Sequence, residues 1–273
     1  MSKSKLKTRT ITGVLYCIVF VSSLILGELS SSLFFLVVML LAVKEFYTIV
    51  QNEKIKPQFY LGMLISLSLF ISSFLYFKSF ELSKISFAIS CFLVLLVFIL
   101  ELFRKESVNY NNIGLTLMGV IYISVPMSLT FFLSHNEANQ YDYMLLLSVF
   151  ILIWMSDVGG YLAGVNFGKH KLLERISPKK SWEGVAGGFI LCIISSVILS
   201  NFFTKLDLTE WIILGIIICI SSVIGDLIES MIKRTAKVKD SGTILPGHGG
   251  ILDRFDSALL VIPIVYIYII LIS

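Results

Sequence analysis

Residues 211–234 read WIILGIIICISSVIGDLIESMIKR. The stretch is apolar from Trp211 to Ile224 apart from two serines, then turns polar without a glycine–proline break. About 20 such residues suffice for a helix to span the roughly 30 Å hydrocarbon layer of a bilayer, and the run reads as a membrane span. Its polar end is patterned. Asp226 and Glu229 are three apart and Asp226 and Ser230 four apart, so all three share one helical face, and Lys233 follows Glu229 by four. A carboxylate inside a span costs about 3 kcal/mol or more on insertion scales, so it faces a wet cavity or a partner. For Glu229 the plain alternative is an ion pair with Lys233 that orders the helix end. Asp226 has no cation at helical spacing.

The rest of the chain repeats the theme. Of 273 residues 56% are hydrophobic and 15% charged, with a mean hydropathy of +0.90, which takes the chain out of the soluble globular class. Nine apolar segments are expected as helices, at 11–27, 31–50, 58–77, 82–103, 113–133, 141–166, 184–203, 209–230 and 255–272. The third and fourth stand close together, and a re-entrant pair is the alternative there. The alternating ten-residue segments of an outer-membrane barrel are absent. The sequence therefore predicts an all-α polytopic membrane protein, a single embedded domain over 1–273 with its functional half at about 150–260. MSKSKLKTRT before the first apolar run has the form of a signal peptide, but no small-residue cleavage site follows, and an uncleaved first helix is expected. Cys17, Cys91, Cys192 and Cys219 each lie alone in apolar runs, as packing residues do.

The net charge of +4 belongs to loops and reports topology, with no implication of nucleic acid. With nine spans and a cytoplasmic N-terminus, nearly all lysines and arginines fall inside, leaving Lys78, Lys84 and Lys205 outside. The loops at 167–183 and 231–254 are then expected to face the cytoplasm, where nucleotides are.

Beyond the quoted span, KVKDSGTILPGHGG runs from 237 to 250 and GILDRFD from 250 to 256. Asp253 and Asp256 project to one side if the last helix has begun there; Asp253 as a helix N-cap is the alternative. Several carboxylates at one depth repel unless a divalent cation sits among them, and hard oxygen donors without a His or Cys cluster point to Mg²⁺. Gly247, Gly249 and Gly250 allow backbone N–H groups to approach phosphate oxygens, and Lys233, Arg234, Lys237 and Lys239 would neutralise a polyphosphate. His248 is either a proton relay or a loop residue. Upstream, Asp157 lies some nine residues, about 13 Å, from the end of its span, followed by Gly159 and Gly160, which let a substrate or a neighbouring helix come close. Its alternative role is a helix-packing residue. The loop beyond carries SPKKSWEG, with Lys179, Lys180 and Ser181 as candidates for substrate phosphates. Lys44 and Glu45, near the inner end of the second segment, are read as interfacial, the lysine snorkelling.

SMIKRTAKVKDSGTILPGHGGILDRFD, residues 230–256, resembles the signature of the phosphatidate cytidylyltransferase family. Its fixed positions are matched at Ser230, Lys233, Arg234, Lys239, Asp240, His248, Gly249, Gly250, Asp253, Arg254 and Asp256. Asp157, Tyr161, FGK and SPKKSWEG resemble the family as well, with a departure at Val158, where relatives often have a small or hydroxyl residue. The resemblance implies transfer of a cytidylyl group from CTP to phosphatidate with Mg²⁺ at the cytoplasmic face of the cell membrane. Asp226 and Asp253 are then the expected metal ligands, Asp256 a third or supporting group, and the lysines and arginines the charge-compensating set. A CTP-dependent lipid or polyprenol kinase and a cation-coupled transporter are the rival expectations. A homodimer is compatible with the sequence, which shows no interface.

Overall fold

A computed structural model describes residues 3–105, 108–203, 205–244 and 249–272, with residues 3–10 as backbone only. Its helices are α1 (Lys3–Ile25), α2 (Glu28–Val50), α3 (Phe59–Tyr76), α4 (Phe80–Leu102), α5 (Tyr110–Gly119), α6 (Val125–Leu133), α7 (Met144–Phe167), α8 (Trp182–Ser200), α9 (Leu208–Thr235) and α10 (Leu252–Ile272). A π-helical turn at Val120–Ser124 joins α5 to α6, so that Tyr110–Leu133 is one crossing. Among the described residues eight helices are long and apolar enough to span a bilayer, and α1 adds a shorter apolar stretch, Ile11–Ile25. Helices α3 and α4, of 18 and 23 residues, are each long and apolar enough to cross. One element departs from the all-helical expectation: β1 (Lys171–Leu173) and β2 (Ser177–Ser181) form a small antiparallel hairpin. Neither strand carries an alternating apolar pattern, because the hairpin has no sheet face to bury.

By its packing the chain forms two compact units, Met1–Tyr141 with Ala236–Phe255, and Asp142–Thr235 with Asp256–Ser273. In the first unit α2 supplies the centre. Phe35, Met39, Ala42, Val43, Phe46 and Tyr47 are buried, and the Tyr47 hydroxyl donates to the Thr116 carbonyl at 2.7 Å. Serines make the bonds that lipid cannot: Ser124 donates to Ser66 at 2.6 Å, and Ser68 meets Ser90 at 2.8 Å. Glu101 accepts from the side chains of Asn112 (2.6 Å), Gln58 (3.0 Å) and Arg104 (3.2 Å), tying the ends of α3, α4 and α5 together. Ile85, Phe92 and Leu95 of α4 are exposed, as suits a helix whose outer face meets acyl chains.

The second unit is built on close backbone approach. Helices α7 and α8 meet through glycines: a Cβ at Gly188 would lie 2.7 Å from the Ser156 carbonyl oxygen, and one at Gly159 would lie 2.9 Å from the Gly187 carbonyl carbon. The neighbouring helix expected near Gly159 is α8. Cys192 and Cys219 are buried packing residues, as expected, with the Cys192 thiol on the Gly215 carbonyl at 3.3 Å; Cys91 is exposed on α4. Helix α9 has 28 residues, about 42 Å at helical rise, which exceeds the roughly 30 Å of hydrocarbon. Its last two turns bear Glu229, Lys233 and Arg234.

Candidate active site

The residues singled out by sequence fall into two groups, one in each compact unit. In the second unit Asp226 is the centre. Its Oδ2 takes the Lys180 ammonium at 2.6 Å and its Oδ1 accepts the Ser230 hydroxyl at 3.2 Å. The serine contact is the i,i+4 pairing read from sequence. The lysine comes from β2, which the alternation of the strand divides: Lys180 turns inward to α9 while Lys179 is exposed. Lys180 also reaches the Val223 carbonyl at 3.4 Å. The hairpin is itself anchored. Ser181 caps α8 by accepting the Gly184 N–H at 3.2 Å, and Glu183 accepts from the Lys169 and His170 N–H groups at 3.1 and 3.2 Å. Ser181, expected to touch substrate, thus has a structural task.

Gly225 fixes the level at which α9 meets α10. A Cβ there would lie 3.0 Å from the Asp256 carbonyl oxygen and 3.0 Å from the Ser257 Cα, so only hydrogen lets the two backbones touch. The Ser257 hydroxyl donates to the Ser222 carbonyl at 3.2 Å across the same contact. The residue after Gly225 is Asp226, so the contact brings its turn against the turn of Asp256. One turn further on, Glu229 and Lys233 form the buried ion pair that sequence offered as the plain alternative. Arg234 is exposed, with Nε 3.4 Å from the Ile176 carbonyl oxygen. Asp157 is exposed on α7.

In the first unit the signature loop closes on two carboxylates. Helix α10 starts at Leu252, so Asp253 is helical from the outset, with Asp256 three residues on. The Asp253 Oδ2 accepts the Gly250 N–H at 2.7 Å, the Ser241 N–H at 2.9 Å and the Ser241 hydroxyl at 2.9 Å. Asp253 thus lies inside α10 and is not its N-cap, and the N–H groups that it accepts come from the loop before the helix. Gly249 adopts φ +85°, and a Cβ there would lie 3.2 Å from the Asp253 carboxyl carbon, so the position is doubly reserved for glycine. Lys239, Asp240 and Arg254 are exposed. Gly247 and His248 lie outside the described residues.

The second carboxylate in this loop is Glu45 of α2, which sequence reasoning passed over. It is buried and accepts from the Ile251 N–H at 3.0 Å, the Leu252 N–H at 2.8 Å and the Ser241 hydroxyl at 3.0 Å. A glutamate inside a span was the available signal; the adjacent Lys44 offered an interfacial explanation that hid it.

Among the described residues no three His, Cys, Asp or Glu side chains converge as a metal-binding group. The donors on α9 and the start of α10 are nonetheless all hard oxygens, the set that suits Mg²⁺, and a cation already lies against Asp226.

These features define a class: a polytopic helical membrane protein whose acidic and basic side chains concentrate at the end of α9, the start of α10 and the loops beside them. The model of the Cytidylyltransferase family matches residues 7–272. The phosphatidate cytidylyltransferase of Bacillus subtilis (strain 168) is 34% identical over 271 residues, covering 98% of this chain and 99% of the relative. Those of Staphylococcus haemolyticus (strain JCSC1435) and Staphylococcus aureus (strain COL) are each 33% identical over 267 residues, 97% of this chain and 99% of theirs. The chain belongs to the phosphatidate cytidylyltransferase family.

Proposed function

We propose that the chain transfers a cytidylyl group from CTP to phosphatidate, giving CDP-diacylglycerol and pyrophosphate for phospholipid biosynthesis. A phosphate oxygen of phosphatidate attacks the α-phosphorus of CTP in line. The new P–O bond forms as the bond from the α-phosphorus to the bridging oxygen breaks, and the electron pair leaves with pyrophosphate. The attacking phosphate is already ionised, so no strong base is required, and His248 is read as a positioning residue. Full-length similarity to enzymes of this name, joined to a signature complete at 230–256, carries this reading.

Asp226, Asp253 and Asp256 are the proposed Mg²⁺ ligands, with Ser230 supporting Asp226. The Lys180 ammonium on Asp226 supports the first of these, since it shows positive charge stabilised at that carboxylate. When bound, Mg²⁺ supplies Lewis-acid polarisation and charge neutralisation at the phosphates. Lys180 exchanges its carboxylate for a substrate phosphate oxygen, and Lys179, Lys233, Arg234, Lys239 and Arg254 complete the compensation of the triphosphate and the lipid phosphate. Asp240, Gly249 and Gly250 shape the loop that meets the substrates, and Asp157 lines the approach from α7. The distribution of lysine and arginine supports a cytoplasmic N-terminus and a site open to the cytoplasm in the cell's inner membrane. The working unit is one chain or its homodimer.

The test uses purified protein in detergent with phosphatidate, Mg²⁺ and CTP labelled separately at the α and γ phosphates. The α label is expected in lipid and the γ label in pyrophosphate, with both lost in Asp226→Asn. Entry of the γ label into lipid makes the protein a kinase, and transfer of neither label to any lipid acceptor returns the transporter reading.

A further inference from the structure

Glu45 is an ionisable side chain in an apolar helix, about 200 residues in sequence from its partners among the described residues. A buried carboxylate in such a place persists only where its charge is met by donors. The donors are the two N–H groups that open α10, those of Ile251 and Leu252, and the hydroxyl of Ser241. The first turn of a helix is where backbone N–H groups lack partners and where the helix dipole favours negative charge. Glu45 thus caps α10 from a different helix.

It does so at both ends of the glycine loop at once. The carboxyl group of Glu45 lies so close to Gly242 and Gly250 that a Cβ at either would meet it, at 3.0 and 2.6 Å from its carboxyl carbon. Ser241 has a single hydroxyl proton yet stands 3.0 Å from Glu45 Oε2 and 2.9 Å from Asp253 Oδ2. It joins the two acids into one cluster, to which the N–H groups of Ser241, Gly250, Ile251 and Leu252 also donate.

We infer that Glu45 is a positioning residue for the transfer reaction: it pins Ser241 to residues 251–252 and thereby sets the orientation of Asp253. The inference rests on the proposed role of Asp253 in the site. It requires a carboxylate at position 45, because Oε1 takes Ile251 while Oε2 takes Leu252 and Ser241. A glutamine of the same shape has one accepting oxygen, and its NH₂ would face a donor.

The experiment compares Glu45→Gln, Ser241→Ala and Asp253→Asn with the parent enzyme in detergent. Hydrogen exchange is followed over residues 241–252, alongside kcat and the KM values for CTP and phosphatidate. Glu45→Gln is expected to accelerate exchange at Ile251 and Leu252 and to lower kcat by about 10- to 100-fold, the range for residues that orient a catalytic group. The KM for phosphatidate stays unchanged, because an orienting contact acts on the transition state. Glu45→Asp, shorter but with two acceptors, recovers part of the loss. If Glu45→Gln keeps full kcat, with or without faster exchange, the inference is overturned while the role of Asp253 stands. Full activity in Asp253→Asn overturns the reading on which the inference rests. Should Glu45→Gln not accumulate as folded protein, Ser241→Ala carries the test. It is expected to move exchange and kcat in the same directions by a smaller factor, and no change in either overturns the inference.

Discussion

Replacing Gly225 by alanine probes the contact that sets Asp226 beside α10. The added Cβ would stand 3.0 Å from the Asp256 oxygen, 3.0 Å from the Ser257 Cα and 3.1 Å from the Ser257 oxygen. All three are backbone atoms, so no side chain can swing away. Comfortable contact begins at about 3.5 Å, and α9 and α10 must part locally by about 0.5 Å. Overpacking of this kind costs about 1–3 kcal/mol. The substitution also gains about 0.5–1 kcal/mol by replacing glycine within a helix, leaving a net loss of up to about 2.5 kcal/mol. Gly114 supplies the control, because a Cβ there meets nothing within 4 Å and Gly114→Ala reports the helical gain alone. Thermal inactivation in detergent is expected to rank Gly114→Ala at or above the parent and Gly225→Ala below it. At temperatures where both remain folded, transfer is expected to fall in Gly225→Ala, since Asp226 shifts with its helix, and to hold in Gly114→Ala. Equal stability and activity in the two variants would refute the packing of α9 on α10 described above.

Two further outcomes follow from the same geometry. The Lys180–Asp226 pair is partly open, with side chains 25% and 31% exposed, so its net worth is about 0.2–1 kcal/mol. Lys180→Met is therefore expected to lower the Mg²⁺ concentration for half-maximal activity by up to about fivefold while raising the KM for CTP; a raised Mg²⁺ requirement would count against Asp226 as a ligand. In a variant lacking the four cysteines, single cysteines at Lys78 and Lys179, both exposed, are expected to react with impermeant maleimide from opposite sides of the membrane. Labelling of both from one side would break the proposed topology.

What could be read from the sequence in advance is set by the distance over which the physics acts. Helix α9 and its polar face were legible because the Ser230–Asp226 and Glu229–Lys233 contacts are four residues apart, within the reach of helical periodicity. The cation on Asp226 was not, because Lys180 arrives from a hairpin 46 residues upstream whose strands carry no alternating pattern. Gly159 was recognised as a point of close approach, but only the folded chain shows that α8 makes it. Asp253 was weighed as a ligand and as an N-cap, but it stands inside α10 and its Oδ2 accepts from the loop before the helix.

Glu45 marks the limit most clearly. Each of its partners lies beyond residue 240, and each is a backbone N–H or a serine hydroxyl, groups that leave no trace of charge complementarity in the sequence. Lys180 with Asp226, and Lys233 with Glu229, meet their charges by ion pairing, whereas Glu45 collects N–H groups from a helix start and a serine hydroxyl, and Asp253 accepts N–H groups from the glycine loop among its contacts. The difference bears on chemistry. A partly open ion pair such as Lys180–Asp226 can exchange partners, the ammonium donating to a phosphate oxygen while the carboxylate turns to water or to another cation. A carboxylate held by backbone N–H groups moves only if the helix start moves with it. On the proposed mechanism the Lys180–Asp226 pair would follow the phosphates, while the carboxylates held by the start of α10 and its loop would keep their place.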